Sequence, residues 1–394
     1  MFLEVILLAL AVLLMMPALV FFIEVLAAVF LRPQSIPVNQ ASPSVAVLIP
    51  AHNESTGIIE TLFSLRPQLS EQDRLLVVAD NCTDDTAEVA RQHGAEVIER
   101  QDATRRGKGY ALDFGIQHLA KNPKEILVIV DADCMAEEGS IKKIAAHAAQ
   151  HQRPVQALYL MHNQANAGLK SKVAEFAWCV KNWVRPLGCL NLGMPCQLMG
   201  TGMAFPWKSV RDIDLANGNI VEDMKLGVDY ALNNQSPIFY PQAKVWSFFP
   251  TVTDVQQGQS KRWEHGHMAM ILSEAPAMIL NAMRKGNLPL LAMALDLAVP
   301  PLALLVGAIG GFTTLTFVFS TYFDLGVSAF YLSLLSFVVL SLAVLLAWWG
   351  WGRKILSLAN MLFVPFYILL KIPNYFSFLF KRQSSWNKTK REHE

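Results

Sequence analysis

The chain has 394 residues, 53% hydrophobic and 16% charged, with a formal net charge of +1. A soluble domain usually carries about 25% charged residues, so a fully soluble enzyme is excluded, and the near-neutral balance gives no ground for a nucleic-acid partner. The deficit sits at the ends while the middle has ordinary soluble composition, which also excludes a transporter without a sizeable globular part.

No charge interrupts Val5 to Ile23, and the apolar run continues past Glu24 to Leu31. That length suits a membrane-spanning helix over 3–31. A cleaved signal would need a basic start and a shorter apolar core, so the anchor reading is preferred. Only Glu4 precedes the charge-free stretch, whereas Arg32 follows the span, ahead of a linker with Pro33 and Pro37. The basic bias places the start outside and the next domain in the cytoplasm.

That domain is expected over 43–264. Val45–Ile49 is a short apolar run ended by Pro50, as in a buried strand. Ser55–Leu65 reads as a helix and Leu75–Ala79 as a second strand, stopped by a turn at Asp80–Thr83. Thr83, Asp84 and Asp85 suit the cap of a helix running to His93. A short strand at Ala95–Ile98, a helix at Gly109–Leu119 and a strand at Ile126–Val130 complete the pattern. This alternation predicts an α/β domain with a mostly parallel sheet and flanking helices, inserted between transmembrane helices. Ligands of such sheets bind beyond the carboxyl ends of the strands. Asp80, Asp131 and Asp133 stand at those ends.

Beyond it, 265–285 is weakly amphipathic and reads as an interfacial helix. Charge-free stretches from Leu297 to Phe323 and from Leu325 to Gly352 predict transmembrane helices over 288–319 and 327–351. The connector between them holds Asp324 and no basic residue, so it reads as external. Pro365, Pro373 and Lys371 interrupt 355–380, which is an interfacial or re-entrant segment or a further span. The basic tail, 381–394, then lies in the cytoplasm. The five cysteines, Cys82, Cys134, Cys179, Cys189 and Cys196, form no CxxC pair. They argue against a zinc site or disulfide framework and for a reducing compartment.

Several residue groups carry chemistry. Asp131-Ala132-Asp133 after an aliphatic run can present oxygens to one hard divalent cation, or serve as a strand-end turn with capping acids. Asp80 suits a base, a ribose or a turn cap. Arg105-Arg106-Gly107-Lys108-Gly109 opens a helix where backbone N–H groups and cations meet, as a diphosphate requires; a solvated basic loop would look the same. In Val221-Glu222-Asp223 either acid suits a general base or a helix cap. Gln259, Arg262 and Trp263 lie just before the membrane, where an aromatic-basic pair also serves as an interfacial anchor. His265 and His267 read as polar surface residues rather than ligands.

Taken in order, Pro50-Ala51-His52-Asn53-Glu54, Asp80, Lys108, Asp131/Asp133, Glu222-Asp223 and Gln259…Arg262-Trp263 resemble the membrane-bound, processive-type family 2 glycosyltransferases, which include cellulose, hyaluronan, chitin and poly-N-acetylglucosamine synthases. The resemblance implies a GT-A fold, a nucleotide-sugar donor, inversion at the anomeric carbon and a divalent cation, Mg2+ or Mn2+. It implies that Pro50, Glu54, Asp80, Lys108, Asp131, Gln259, Arg262 and Trp263 contact the donor, with Asp80 reading uracil. Asp131 and Asp133 correspond to the metal-binding pair and Asp223 to the catalytic base. Gly200, Thr201, Gly202 and Trp263 correspond to the acceptor region. The segment Trp386–Arg391 resembles a tail of exopolysaccharide members. One departure is Ala79, where the family often has a second acid.

The implied function is extension of an extracellular polysaccharide at the inner (plasma) membrane, with single-sugar transfer to a lipid as the alternative. Implied partners are the nucleotide sugar, a glycan or lipid-linked acceptor, the bilayer and, for an exported polymer, an accessory export subunit.

Overall fold

The computed structural model describes residues 2–32, 42–165, 167–210, 215, 221–250, 253–365, 368 and 375. The tail expected over 381–394, and all of 366–380 except Ile368 and Tyr375, lie outside the described residues. The chain forms two compact units. Of the described residues, one comprises those within 42–162 and 195–259; the other comprises those within 2–32, 163–194 and 260–375.

The first unit is built on one sheet. Its strands are β1 (Val45–Ala51), β2 (Arg74–Asp80), β3 (Glu96–Arg100), β4 (Ile126–Ile129), β5 (Met135–Ala136), β6 (Val155–His162), β7 (Met203–Pro206) and β8 (Ile238–Phe248). Their spatial order is β3-β2-β1-β4-β7-β6-β8-β5. β1, β2, β3 and β4 run parallel, because helices Gly57–Leu65, Thr86–Gln92 and Lys108–Leu119 return the chain between them. β7 then pairs antiparallel with both β4 and β6. Buried aliphatics fill β1, β2 and β4 and pack against Ala111, Leu112 and Leu119 of the Lys108–Leu119 helix. The expected elements thus form, with shifted ends: β2 takes in Asp80, expected in a turn, and β3 runs to Arg100 rather than Ile98. β1 does not stop at Pro50 but runs through it to Ala51. Its register with β4 ends at Leu48↔Ile129, so beyond that point the missing proline N–H costs no bond on that side.

The second unit is helical. Phe2–Phe30, Leu302–Tyr322 and Val327–Gly352 are long and apolar enough to cross a membrane. The span expected over 288–319 is instead two helices, Leu288–Leu297 and Leu302–Tyr322. Pro300 and Pro301 break it, since proline removes a helical donor and clashes with the preceding turn. The expected interfacial stretch is likewise divided, into Thr253–Ser273 and Ala275–Lys285, at Glu274-Ala275-Pro276.

A buried ion cluster ties this unit together. Arg185 Nε donates to Glu24 Oε2 at 2.6 Å, and its Nη2 to Asp296 Oδ1 at 2.5 Å and to the Asp296 carbonyl at 2.8 Å. Gly188 permits the approach, because a Cβ there would lie 1.9 Å from the Glu24 carbonyl oxygen. Glu24, although it lies in an apolar helix, therefore has a structural partner in Arg185. His265 and His267, expected at the surface, are buried, and His267 Nε2 donates to the Leu297 carbonyl at 3.0 Å.

Candidate active site

The order β3-β2-β1-β4 reverses direction of travel at β1, and in open parallel sheets that switch point makes a crevice beyond the strand ends. Asp80 ends β2, Asp131 and Asp133 follow β4, and Lys108 begins the helix Lys108–Leu119. The acid pair and the lysine are brought together there. Lys108 Nζ lies 2.5 Å from Asp131 Oδ1 and 3.8 Å from Glu222 Oε1, and donates to the Gly200 carbonyl at 2.7 Å. The Asp131 N–H donates to Thr201 Oγ1 at 3.0 Å. Gly200 has φ +90°, and a Cβ on it would sit 3.3 Å from Asp223 Oδ2 and 3.6 Å from Lys108 Nζ. Residues from four separate stretches meet at one point.

The electrostatics follow from this crowding. Burial opposes the Lys108 cation, but the charges of Asp131 and Glu222 outweigh it and raise its pKa. Burial raises the Asp131 carboxyl, with Lys108 opposing and Asp133 adding to the rise. Burial pushes Glu222 up to about 7, opposed by Lys108 and reinforced by Asp223. Glu222 and Asp223 occupy the first turn of the helix Glu222–Leu232, whose N-cap is Val221. Neither acid is the cap, and both lie where a negative charge also favours the helix N-terminus.

The acid pair suits a hard cation. Ligand atoms of Asp131, Asp133 and Cys134 lie within 4.8 Å of one another. The Cys134 thiol is buried, its pKa is pushed well up by burial and by the Asp133 charge, and its S–H donates to Asp133 Oδ1 at 3.5 Å. It therefore stays a thiol and leaves two carboxylates as the donors. Carboxylate oxygens fit Mg2+ or Mn2+.

Asp80 ends β2, two strands from β4 in the sheet, and is tied to its neighbours. Its Oδ1 accepts from Arg100 Nη1 at 2.7 Å and from Asn81 Nδ2 at 3.0 Å, and its carbonyl accepts from His52 Nδ1 at 2.6 Å. Arg100 escaped the sequence reading. The signal was a basic residue two positions beyond the third apolar run, with the second run followed directly by an acid. Pro50 pairs with Val78 inside the sheet, and Glu54 is buried just after β1, its N–H donating to Thr86 Oγ1 at 2.8 Å.

Gly202 lies beside Thr201 with φ +63°, where a Cβ would meet Val245 and Ala157. Gln259, Arg262 and Trp263 share the helix Thr253–Ser273, with Arg262 and Trp263 in the helical unit. There the Trp263 ring packs on Trp178, centroids 4.9 Å apart, and Lys181 lies over the Trp178 ring at 5.6 Å. Trp178 and Lys181 are further residues that the sequence did not single out.

Comparison with known proteins gives a family and a fold. The family model described as glycosyltransferase like family 2 matches residues 43–266. The probable glycosyltransferase YdaM of Bacillus subtilis is 27% identical over 257 residues, 58% of this chain and 56% of that protein. The 4,4'-diaponeurosporenoate glycosyltransferase of Staphylococcus aureus is 37% identical over 93 residues, 23% of this chain and 24% of that protein. The chain thus spans little more than half of the first relative and about a quarter of the second. Among solved structures, the mannosyltransferase PcManGT from Pyrobaculum calidifontis, in complex with GDP-Man and Mn2+, aligns with a TM-score of 0.56 at 15% identity, covering 96% of this chain and 99% of that one. At that identity the likeness concerns the fold, the mixed GT-A-like sheet with flanking helices. The chain belongs to the glycosyltransferase like family 2.

Proposed function

We propose that the protein is an inverting glycosyltransferase that moves a sugar from a nucleotide-sugar donor, a UDP-sugar, to a growing polysaccharide at the inner membrane. The observation that carries this reading is the meeting of Lys108, Asp131, Glu222 and the Gly200 carbonyl beside Asp223 at the strand ends. Lys108, reached by three oxygen groups, is placed to turn toward a diphosphate when its counter-charges are shared with a cation. Asp131 and Asp133 would hold that cation. Bound there, it supplies Lewis-acid stabilisation of charge on the leaving diphosphate.

Asp223 takes the proton from the acceptor hydroxyl as that oxygen attacks the anomeric carbon opposite the leaving group. General-base assistance contributes typically 10²–10⁴-fold. Gly200 keeps the space beside the Asp223 carboxylate clear. The resemblance assigns Gln259 and Arg262 to the diphosphate side and Trp263, whose flat apolar face suits a sugar ring, to the acceptor. The three long apolar helices support a multi-pass membrane location, and the basic flanks support a cytoplasmic catalytic unit with an external start.

A second reading, transfer of one sugar to a membrane lipid, is favoured by a specific observation. The 37% identity over 93 residues to a 4,4'-diaponeurosporenoate glycosyltransferase, whose name gives a single small acceptor rather than a polymer, supports it. Incubating purified protein with a panel of UDP- and GDP-sugars, reading diphosphate release and product size, tests both. Long saccharide supports the first reading, a singly glycosylated lipid the second, and no release from any donor in the presence of acceptor membranes refutes both.

A further inference from the structure

We propose that Arg100 is a positioning residue that leaves Asp80 a single accepting oxygen, so that the donor site selects uracil over guanine. The inference rests on the nucleotide-sugar reading above and deepens it. Its basis is the register of two strands: β2 and β3 pair Asp80 directly with Arg100. Arg100 Nη1 and Asn81 Nδ2 both donate to Asp80 Oδ1, at 2.7 and 3.0 Å. An ionised carboxylate offers about two acceptor directions per oxygen. Oδ1 is therefore filled, and among the described residues no donor occupies Oδ2.

The arrangement is held on every side. Arg100 Nη2 donates to Asp102 Oδ2 at 3.1 Å, and the guanidinium lies 5.7 Å from the centre of the Tyr110 ring. The Asn81 N–H donates to the Arg100 carbonyl at 2.7 Å, and Asn81 Oδ1 accepts from the Asp102 N–H at 2.8 Å. Side-chain exposure is 10% for Arg100 and 9% for Asp80. At such burial a charge pair does not exchange freely with water, and removing one partner strands the other.

Base chemistry then discriminates. Uracil presents one ring N–H between two carbonyls, which Oδ2 alone satisfies. Guanine presents a ring N–H and an adjacent amino group, two donors that call for both carboxylate oxygens. With Oδ1 committed, guanine either leaves a donor unpaired or displaces Arg100. Either outcome is worth roughly ten- to a hundredfold in affinity. Cytosine and adenine turn a ring lone pair toward Oδ2 and are rejected by repulsion.

The test is calorimetric titration of the full-length protein in nanodiscs with UDP, GDP and CDP, in Mn2+, for wild type and Arg100→Met. Wild type should bind UDP roughly ten- to a hundredfold more tightly than GDP. Arg100→Met should weaken UDP and bring the two within about threefold, since Oδ1 is released. A melting curve reports whether the variant folds; if it does not, the wild-type ratio decides. GDP bound as tightly as UDP by wild type, or a UDP preference unchanged in Arg100→Met, overturns the inference alone. Binding of none of the three overturns the nucleotide-sugar reading and this inference with it.

Discussion

Lys108 Nζ lies 2.5 Å from Asp131 Oδ1 and 3.8 Å from Glu222 Oε1, so one ammonium joins the end of a strand to the start of a helix. Replacing it with methionine leaves Asp131, Asp133, Glu222 and Asp223 without that counter-charge. Lys108→Met should lose about 1–3 kcal/mol of stability in EDTA, a figure reduced for partial exposure. Added Mn2+ should restore much of the melting temperature but not the transfer rate. A variant that melts and turns over like wild type would contradict the bridging role.

Asp223 and Glu222 are separable by what each does. Asp223→Asn should slow transfer by about 10²–10⁴-fold while leaving donor affinity nearly unchanged, because the base acts on the acceptor. Measured on one preparation, a variant that binds the donor normally and turns over normally places the base elsewhere.

Glu222 should instead show in the pH dependence of stability. Its carboxyl titrates near pH 7 in the folded protein, against about 4.3 in an unfolded chain. Between those values the folded state holds more protons, so stability falls as pH rises through the window. Glu222→Gln removes that slope. Its melting temperature relative to wild type should therefore be higher at about pH 8 than at about pH 5, and the reverse order would refute the assignment.

Gly200→Ala tests the close approach beside the base. The position has φ +90°, and the new methyl would press on Asp223 Oδ2 at 3.3 Å. Strain of about 1–2 kcal/mol is expected. A rate loss of roughly tenfold or more should accompany it, through displacement of the reacting groups. Loss of stability with unchanged turnover below the melting point would show that the contact does not position Asp223.

His147 provides a test away from the site. It is 1% exposed, its ring stacks on Tyr240 at 4.2 Å, and neither ring nitrogen has a hydrogen-bond partner among the described residues. Burial pulls its pKa down to about 4, with the His151 charge adding to the fall. The unfolded chain takes up this proton below about pH 6.5, so stability is present above that value and lost as pH falls toward 4. His147→Phe should remove up to about 3 kcal/mol of that acid sensitivity. Melting curves near pH 5 and near pH 7.5 should converge in the variant relative to wild type; an unchanged gap counts against the assignment.

The order of apolar runs, turns and acids was legible because it is local. Val45–Ile49, Leu75–Ala79 and Ile126–Val130 are too short for helices and too apolar for loops, so strands with acids at their ends were the consistent solution. The charge-free stretches announced helices long and apolar enough to cross a membrane for the same reason, since length and hydropathy are read residue by residue. What only the tertiary structure decided were pairings between distant stretches. Arg100 meets Asp80 through the β2–β3 register, and Lys108 meets Asp131, Glu222 and Gly200 because an antiparallel β7 is laid beside β4. Register and strand insertion depend on the packing of both sheet faces at once, which no periodicity in a single segment encodes. Glu24 shows the same limit: in sequence it interrupts an apolar run, and in the fold it is one of two carboxylates closed around Arg185.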